Sequence, residues 1–379
     1  MEPSESLRSL PTPSLILDEG RMLRNVERLR QRLAGLGVVS RPHLKTVKSV
    51  DAAQRIVTDG KATVSTLKEA EVFARAGVRD ILYAVGIAPS KLTRVLKLRR
   101  EGCDLSVVLD SREQAQAVAR AARESDDPIP VFIEIDSDGH RSGLRPADPE
   151  VVELANVVSD GGAELRGVVT HAGESYHAVG AEALAAFAER ERRAAVTAAE
   201  RLRAAGHQAP VVSVGSTPTA HFARDLTGVT EVRAGVYAFF DLVMAGIGVC
   251  ALDDIAISVL TTVIGHQRER GWTVVDAGWM ALSRDRGTAD QLVDQGYGVV
   301  CDLEGAVLGD LIVVSTSQEH GIVAAREGIE SRLPELPVGT LLRILPNHAC
   351  ATAAQFDGYQ VLPAHRSGEL GYWPRFRGW

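Results

Sequence analysis

Lysine is scarce in this chain of 379 residues: of 42 basic residues only six are lysine, namely Lys45, Lys48, Lys61, Lys68, Lys91 and Lys97. Arginine serves as well on a solvated surface, so a genomic preference explains most of the bias, but chemistry that needs a primary amine has few candidates. Cysteine is equally sparse. The four, Cys103, Cys250, Cys301 and Cys350, show no CxxC spacing, which excludes a disulfide framework and fits a reducing cytoplasm. Long apolar runs are missing too: the longest, Leu242–Leu252, falls far short of the ~20 residues that span a bilayer. Met1–Thr12 lacks the charged-then-apolar pattern of a secretion signal, so the expectation is a cytoplasmic chain without a membrane segment. Nor is there a basic excess. A net charge of −7 leaves no face for a phosphate backbone, and a small molecule is the expected partner instead of nucleic acid.

What is present is an ordinary globular balance, 45% hydrophobic and 24% charged, long enough for two domains at about 100–200 residues each. From residue 14 to 250, β-rich runs alternate with helical stretches, the pattern of a parallel sheet covered by helices. The runs are Arg41–Thr46, Ala62–Thr66, Ile81–Val85, Leu105–Asp110, Val131–Asp136, Leu165–His171, Val211–Ser216 and Glu231–Ala234. Eight is the closure number of a (β/α)8 TIM barrel. A Ser-x-x-Gln pattern opens the helix Ser111–Arg123, and Ala181–Ala205 reads as a long helix. Residues 251–379 change to consecutive strands, Ile257–Ile264, Trp272–Asp276, Gly298–Asp302, Leu311–Ser315 and Leu341–Leu345, an all-β domain. Residues 1–13 are expected to pack with it, and Ser14–Leu17 is expected to pair there as well.

Three segments carry candidate chemistry. In Arg41-Pro42-His43-Leu44-Lys45-Thr46, strand alternation puts Arg41, His43 and Lys45 on one face, with Lys45 at the rim where TIM barrels place active sites. The bland reading is a lysine in bulk solvent; Lys48 is the competing amine and is expected to face water. In Asn347-His348-Ala349-Cys350, a strand would put imidazole and thiol on one side as zinc ligands with open positions, or as a packed histidine beside a buried thiol. Gln318-Glu319-His320-Gly321 either supports that site or is only a turn. Gly215-Ser216-Thr217-Pro218-Thr219 follows a strand and reads as a phosphate loop or a generic turn. Arg233, Gly235 and Tyr237 end the eighth strand, Arg141 follows the fifth and His171 the sixth. An amine, a phosphate loop, arginines and a histidine on one rim call for a phosphorylated cofactor that bonds covalently to an amine, and pyridoxal 5′-phosphate meets that description.

These segments, with Ser65-Thr66-Leu67-Lys68-Glu69-Ala70-Glu71, Val275-Asp276-Ala277-Gly278 and Pro346-Asn347-His348-Ala349-Cys350-Ala351-Thr352, resemble the D-serine dehydratase and D-threonine aldolase family of pyridoxal-phosphate enzymes, which has the alanine-racemase-like fold. The resemblance implies that Lys45 forms the covalent link to the cofactor and acts in catalysis. It implies that Gly215, Ser216, Thr217 and Tyr237 hold the phosphate, with Gly235 nearby. By the same resemblance Arg141 meets the pyridine 3-oxygen, Arg233 faces the pyridine nitrogen and His171 packs near the ring. His348 and Cys350 match the metal ligands; a thiolate in the second place favours Zn2+ and the dehydratases, with Mn2+ as another divalent ion. The implied activity is β-elimination from a D-3-hydroxy amino acid, giving oxaloacetate from D-threo-3-hydroxyaspartate or pyruvate from D-serine, with ammonia. The rivals are a metal-dependent D-threonine-type aldolase and a pyridoxal-phosphate carrier or racemase. A homodimer is implied. Arg284 and Arg286 are candidates for a second substrate carboxylate, or plain surface charge.

Overall fold

Eight strands pair in parallel and in chain order: Val39–Ser40, Lys61–Val64, Asp80–Gly86, Asp104–Leu109, Pro130–Ile135, Glu164–Thr170, Val211–Val214 and Glu231–Val232. Val39 and Ser40 lie opposite Glu231 and Val232, and His43 bridges Thr63, so the sheet closes on itself as a (β/α)8 barrel. The computed structural model that shows this describes residues 3–328, 334–365 and 369–379. Helices follow the strands as the sequence pattern requires. Ser111 caps Arg112–Ser125, accepting from Gln114 N, while the Gln114 side chain accepts from Asp110 N at 3.0 Å. The helix Ala181–Ala204 lays Leu184, Ala188, Ala195, Ala198 and Leu202 on its buried face at helical spacing.

The first barrel strand is shorter than the Arg41–Thr46 run expected. Arg41 N and His43 N still bond to the eighth strand, at Val232 O (2.8 Å) and Ala234 O (2.7 Å). Beyond Leu44 the chain turns, Lys48 N closing on Leu44 O at 3.1 Å. Alternation therefore stops before Lys45. Arg41 is buried and bonded to Glu231 and Asp80 at 2.7 Å each, whereas Lys45 is exposed on the turn.

The second sheet has nine strands, in the order Trp272–Val275, Gly321–Ala325, Val307–Thr316, Val299–Cys301, Leu341–Leu345, Ile257–Gln267, Ser14–Asp18, Gly358–Leu362 and Gly371–Pro374. An additional pairing of Trp272–Val275 with Ile257–Gln267 closes six of them into a ring. Ser14–Asp18 enters between strands from the far end of the chain, antiparallel to Ile257–Leu260 and parallel to Gln360–Leu362. Leu7, Ile16, Leu260, Leu303 and Leu362 form a core cluster here.

Compactness divides the chain into Arg28–Gly235 with Arg377–Trp379, and Met1–Glu27 with Val236–Phe376. These limits differ from 14–250 and 251–379. Ser14–Asp18 is a strand of the second sheet, as expected for Ser14–Leu17, and the helix Leu242–Gly246 is bonded to the segment after Leu345, Leu242 N to Pro346 O (3.1 Å) and Val243 N to Asn347 O (3.2 Å).

Candidate active site

In the barrel unit the loops at the carboxyl ends of the first, sixth, seventh and eighth strands are tied together by hydrogen bonds. Lys45 N donates to His43 Nδ1 at 3.4 Å. Gly235 closes under that turn: a Cβ there would lie 3.2 Å from His43 O and 3.3 Å from His43 Cβ. Arg233 is buried, its guanidinium donating to Ser213 Oγ (2.7 Å) and to Thr170 O (2.5 Å). His171 Nδ1 bonds Gly215 O at 3.1 Å; the carbonyl accepts, so the proton sits on Nδ1. Burial lowers the His171 pKa to about 3, with Lys45, Arg141 and Arg233 acting in the same direction against the Gly215 bond. Burial, Lys45, Arg233 and His171 likewise hold His43 well below the ordinary histidine range. Both imidazoles are neutral at physiological pH. Arg141 is exposed and reaches Glu134 at 3.4 Å.

Lys48, expected to face water, is instead paired with a buried carboxylate. Its backbone takes φ 40°, and its Nζ lies 3.3 Å from Oε1 of Glu69, a fully buried carboxylate. Glu69 also accepts from Ser65 N (2.9 Å) and Ser65 Oγ (2.8 Å), while Thr66 Oγ1 accepts from Glu69 N at 3.0 Å. The Ser65–Glu71 motif is thus a helix cap whose buried Glu69 pairs with Lys48, leaving Lys45 as the candidate amine of this turn.

The Gly215–Thr219 turn departs from a generic phosphate loop. Gly215 has φ 135°, and a Cβ would lie 2.1 Å from Arg233 O, so only glycine lets the turn pass the eighth strand. Its N–H donates to Glu191 at 2.9 Å, and the Ser216 N–H donates to Thr219 Oγ1 at 3.0 Å. Ser216 caps the helix Thr217–Phe222. Thr217 Oγ1, by contrast, is buried without a hydrogen-bond partner among the described residues. A phosphate oxygen would satisfy it, and with the glycine-only turn and the Lys45 amine the residues fit pyridoxal 5′-phosphate. Tyr237 follows Gly235 on a 3-10 turn and is buried within the β unit.

In the β unit His348 and Cys350 do not lie on a strand. Pro346 ends the strand Leu341–Leu345, and the short helix Ala349–Ala353 starts at His348, its N-cap residue. The two side chains still meet: the imidazole is hydrogen-bonded to the Cys350 thiol and, through Nδ1, to Asp285 Oδ2 at 2.6 Å. Burial opposes the charged ring, but Asp285 and Cys350 outweigh it and raise the His348 pKa to about 11; the same bond lowers Asp285. Asp241, fully buried, accepts from Ala349 N (2.9 Å) and Met244 N (3.0 Å), which anchors the helix. Among the described residues no group of three or more His, Cys, Asp and Glu side chains is placed to hold a metal. A carboxylate on Nδ1 and a neighbouring thiol fit a metal with two protein ligands and open positions.

Asp285 was missed in the sequence because Ser283-Arg284-Asp285-Arg286 drew attention to its arginines. Arg286 is paired with Asp294, and Arg284 lies over the Trp279 ring at 4.2 Å. Gln318–Gly321 is the turn between two strands, its Ser317 and Gln318 carbonyls accepting from Trp279 N (3.0 Å) and Met280 N (3.1 Å). Asp276 of the Val275–Gly278 motif accepts from Thr12 Oγ1 (2.6 Å) and Thr261 Oγ1 (2.7 Å), a structural role.

A barrel with a lysine turn and an orphan threonine at its rim, joined to a β unit of this topology, defines the class: an alanine-racemase-like protein. Residues 17–243 match the family described as "Alanine racemase, N-terminal domain", and residues 256–362 match "Putative serine dehydratase domain". The chain belongs to the D-serine dehydratase and D-threonine aldolase family. It is 56% identical to the D-threo-3-hydroxyaspartate dehydratase of Delftia sp. strain HT23, over 99% of this chain and 100% of that one. The solved structure of that enzyme superimposes with a TM-score of 0.95, covering 98% of this chain and 99% of the other. The D-serine dehydratase of Dictyostelium discoideum is 30% identical over 95% of each chain. A cysteine-to-alanine variant of a D-threo-3-hydroxyaspartate dehydratase, described as metal-free, matches at 55% identity and TM-score 0.95, over 98% of this chain and 99% of that one.

Proposed function

We propose that the protein is a pyridoxal-phosphate and zinc-dependent dehydratase that eliminates water from D-3-hydroxy amino acids, D-threo-3-hydroxyaspartate first among them. The observation that carries this reading is the pairing of the His348 imidazole with the Cys350 thiol, oriented by Asp285, in a chain whose rim amine is Lys45. Lys45, Arg141, His171, Gly215, Ser216, Thr217, Arg233, Gly235 and Tyr237 would hold the cofactor, with Thr217 Oγ1 a phosphate donor. When bound, pyridoxal phosphate supplies an electron sink for charge developing at Cα. A zinc ion on His348 and Cys350 supplies Lewis acidity toward a β-hydroxyl leaving group. Lys45 takes the proton from Cα as the general base of the rim. Lys48 stays paired with Glu69 and takes no part. Arg233 is fixed by Thr170 and Ser213, so it orients and does not move. A thiol in the second metal position favours zinc over the harder ions that carboxylates hold. The protein would act as a cytoplasmic homodimer on a free amino acid.

D-threonine separates this reading from its rival. A dehydratase gives 2-oxobutanoate and ammonia, lost on chelation and restored by zinc, with cofactor absorbance retained throughout. Glycine and acetaldehyde in their place would make the protein an aldolase.

A further inference from the structure

The buried face of the helix Ala181–Ala204 is alanine and leucine except at Glu191, which is 1% exposed. Its Oε1 accepts from Ala172 N (3.0 Å) and Gly215 N (2.9 Å), and its Oε2 accepts from Thr219 Oγ1 (2.7 Å). Ala172 follows the sixth strand; Gly215 and Thr219 belong to the turn after the seventh. A carboxylate placed among alanines is costly unless its oxygens are satisfied, and every donor here comes from a strand-end loop at the rim. Holding the helix to the barrel needs no ion at this position; alanine would pack as its neighbours do.

We propose that Glu191 is a positioning residue for the phosphate of the cofactor: it locks the two loops together, engages the Gly215 amide, and so makes Thr217 the donor that the turn presents. The Gly215 N–H is committed to Glu191, the Ser216 N–H to Thr219 Oγ1 (3.0 Å) and the Thr219 N–H to Ser216 Oγ (3.3 Å). Thr217 Oγ1 is left buried and unpartnered among the described residues. Glu191 would not touch the cofactor; it acts through the turn. The inference rests on the pyridoxal-phosphate reading above.

The test compares pyridoxal 5′-phosphate with pyridoxal, which condenses with the same amine but has no phosphate, binding each to the full-length apoprotein by absorbance. Glu191→Ala should weaken pyridoxal phosphate by about ten-fold or more and leave pyridoxal within about two-fold. Glu191→Gln should restore phosphate-dependent binding to within about three-fold, because the amide oxygen accepts from Ala172 and Gly215 while the Thr219 hydroxyl reverses. Should Glu191→Ala not fold, Thr219→Val carries the same comparison with a loss of about three-fold or more for pyridoxal phosphate alone. Equal weakening of both aldehydes, or unchanged pyridoxal phosphate affinity in Glu191→Ala or in Thr219→Val, overturns the role. A wild-type protein that forms no borohydride-reducible link at Lys45 with either aldehyde overturns the cofactor reading instead.

Discussion

At the scale of single residues, the scarcity of lysine pointed to Lys45, but the geometric reason differs from strand alternation. The strand is only Val39–Ser40, followed by an isolated bridge at His43, and Lys45 is the amine proposed because its neighbour Lys48 is held by Glu69 at 3.3 Å. Lys45→Ala should therefore abolish the borohydride-reducible link to pyridoxal phosphate. Lys48→Ala should keep it while losing about 1–3 kcal/mol of stability, because a buried carboxylate is left without its cation; a link lost only in Lys48→Ala would reverse the assignment. His171 gives a pH prediction. Its pKa is about 3 in the fold and about 6.5 in an unfolded chain. Below pH ~6.5 the unfolded chain takes up a proton that the folded ring refuses, so the stabilisation is complete above that pH and lost on acidification. The slope is at most about 1.4 kcal/mol per pH unit from this ring. His171→Gln should flatten the urea-unfolding free energy of the apoprotein between about pH 6 and 4. An unchanged slope would show that the ring protonates freely in the fold. His171 was legible as a rim residue, whereas its neutrality depends first on burial and then on cations from three other loops, neither of which one sequence shows.

Elements were more legible than the contacts between them. The eight β-rich runs mark the barrel strands because each is a short apolar stretch between turn signals, but Gly321–Ala325, Gly358–Leu362 and Gly371–Pro374 were not read. Those strands begin at glycine and are brief, so they carry little pattern. The His-x-Cys pair stayed together while changing its element, because proline at 346 ends the strand and His348, still extended at the helix N-cap, lies outside the helix that begins at Ala349. Glu191 was missed although the signal was present: a lone acidic residue on the apolar stripe of an alanine-rich helix. The Gly215 turn allows a graded test. Gly215→Ala, with a Cβ 2.1 Å from a backbone oxygen at φ 135°, should cost about 3 kcal/mol or more. Gly235→Ala, where the nearest contacts are 3.2 and 3.3 Å, should cost about 1 kcal/mol. Urea denaturation of both variants checks the order; equal losses would mean that the turn relaxes.

For the whole molecule, the two fold classes were legible and their limits were not. The strand at residues 14–18 joins, as expected, a sheet whose other members begin at residue 257, whereas residues 236–250, read with the barrel, fall in the β unit. The proposed chemistry also divides between the units, the amine on one and the His348–Cys350 pair on the other, and the chain matches a family model over part of each. The central claim is elimination, as opposed to carbon–carbon cleavage, on a D-3-hydroxy amino acid. It is tested most directly by incubating the zinc-loaded, pyridoxal-phosphate-loaded protein with D-threo-3-hydroxyaspartate and quantifying every product. The account predicts oxaloacetate and ammonia in equal amounts, and no glycine; glycine and glyoxylate in equal amounts, without ammonia, would contradict it.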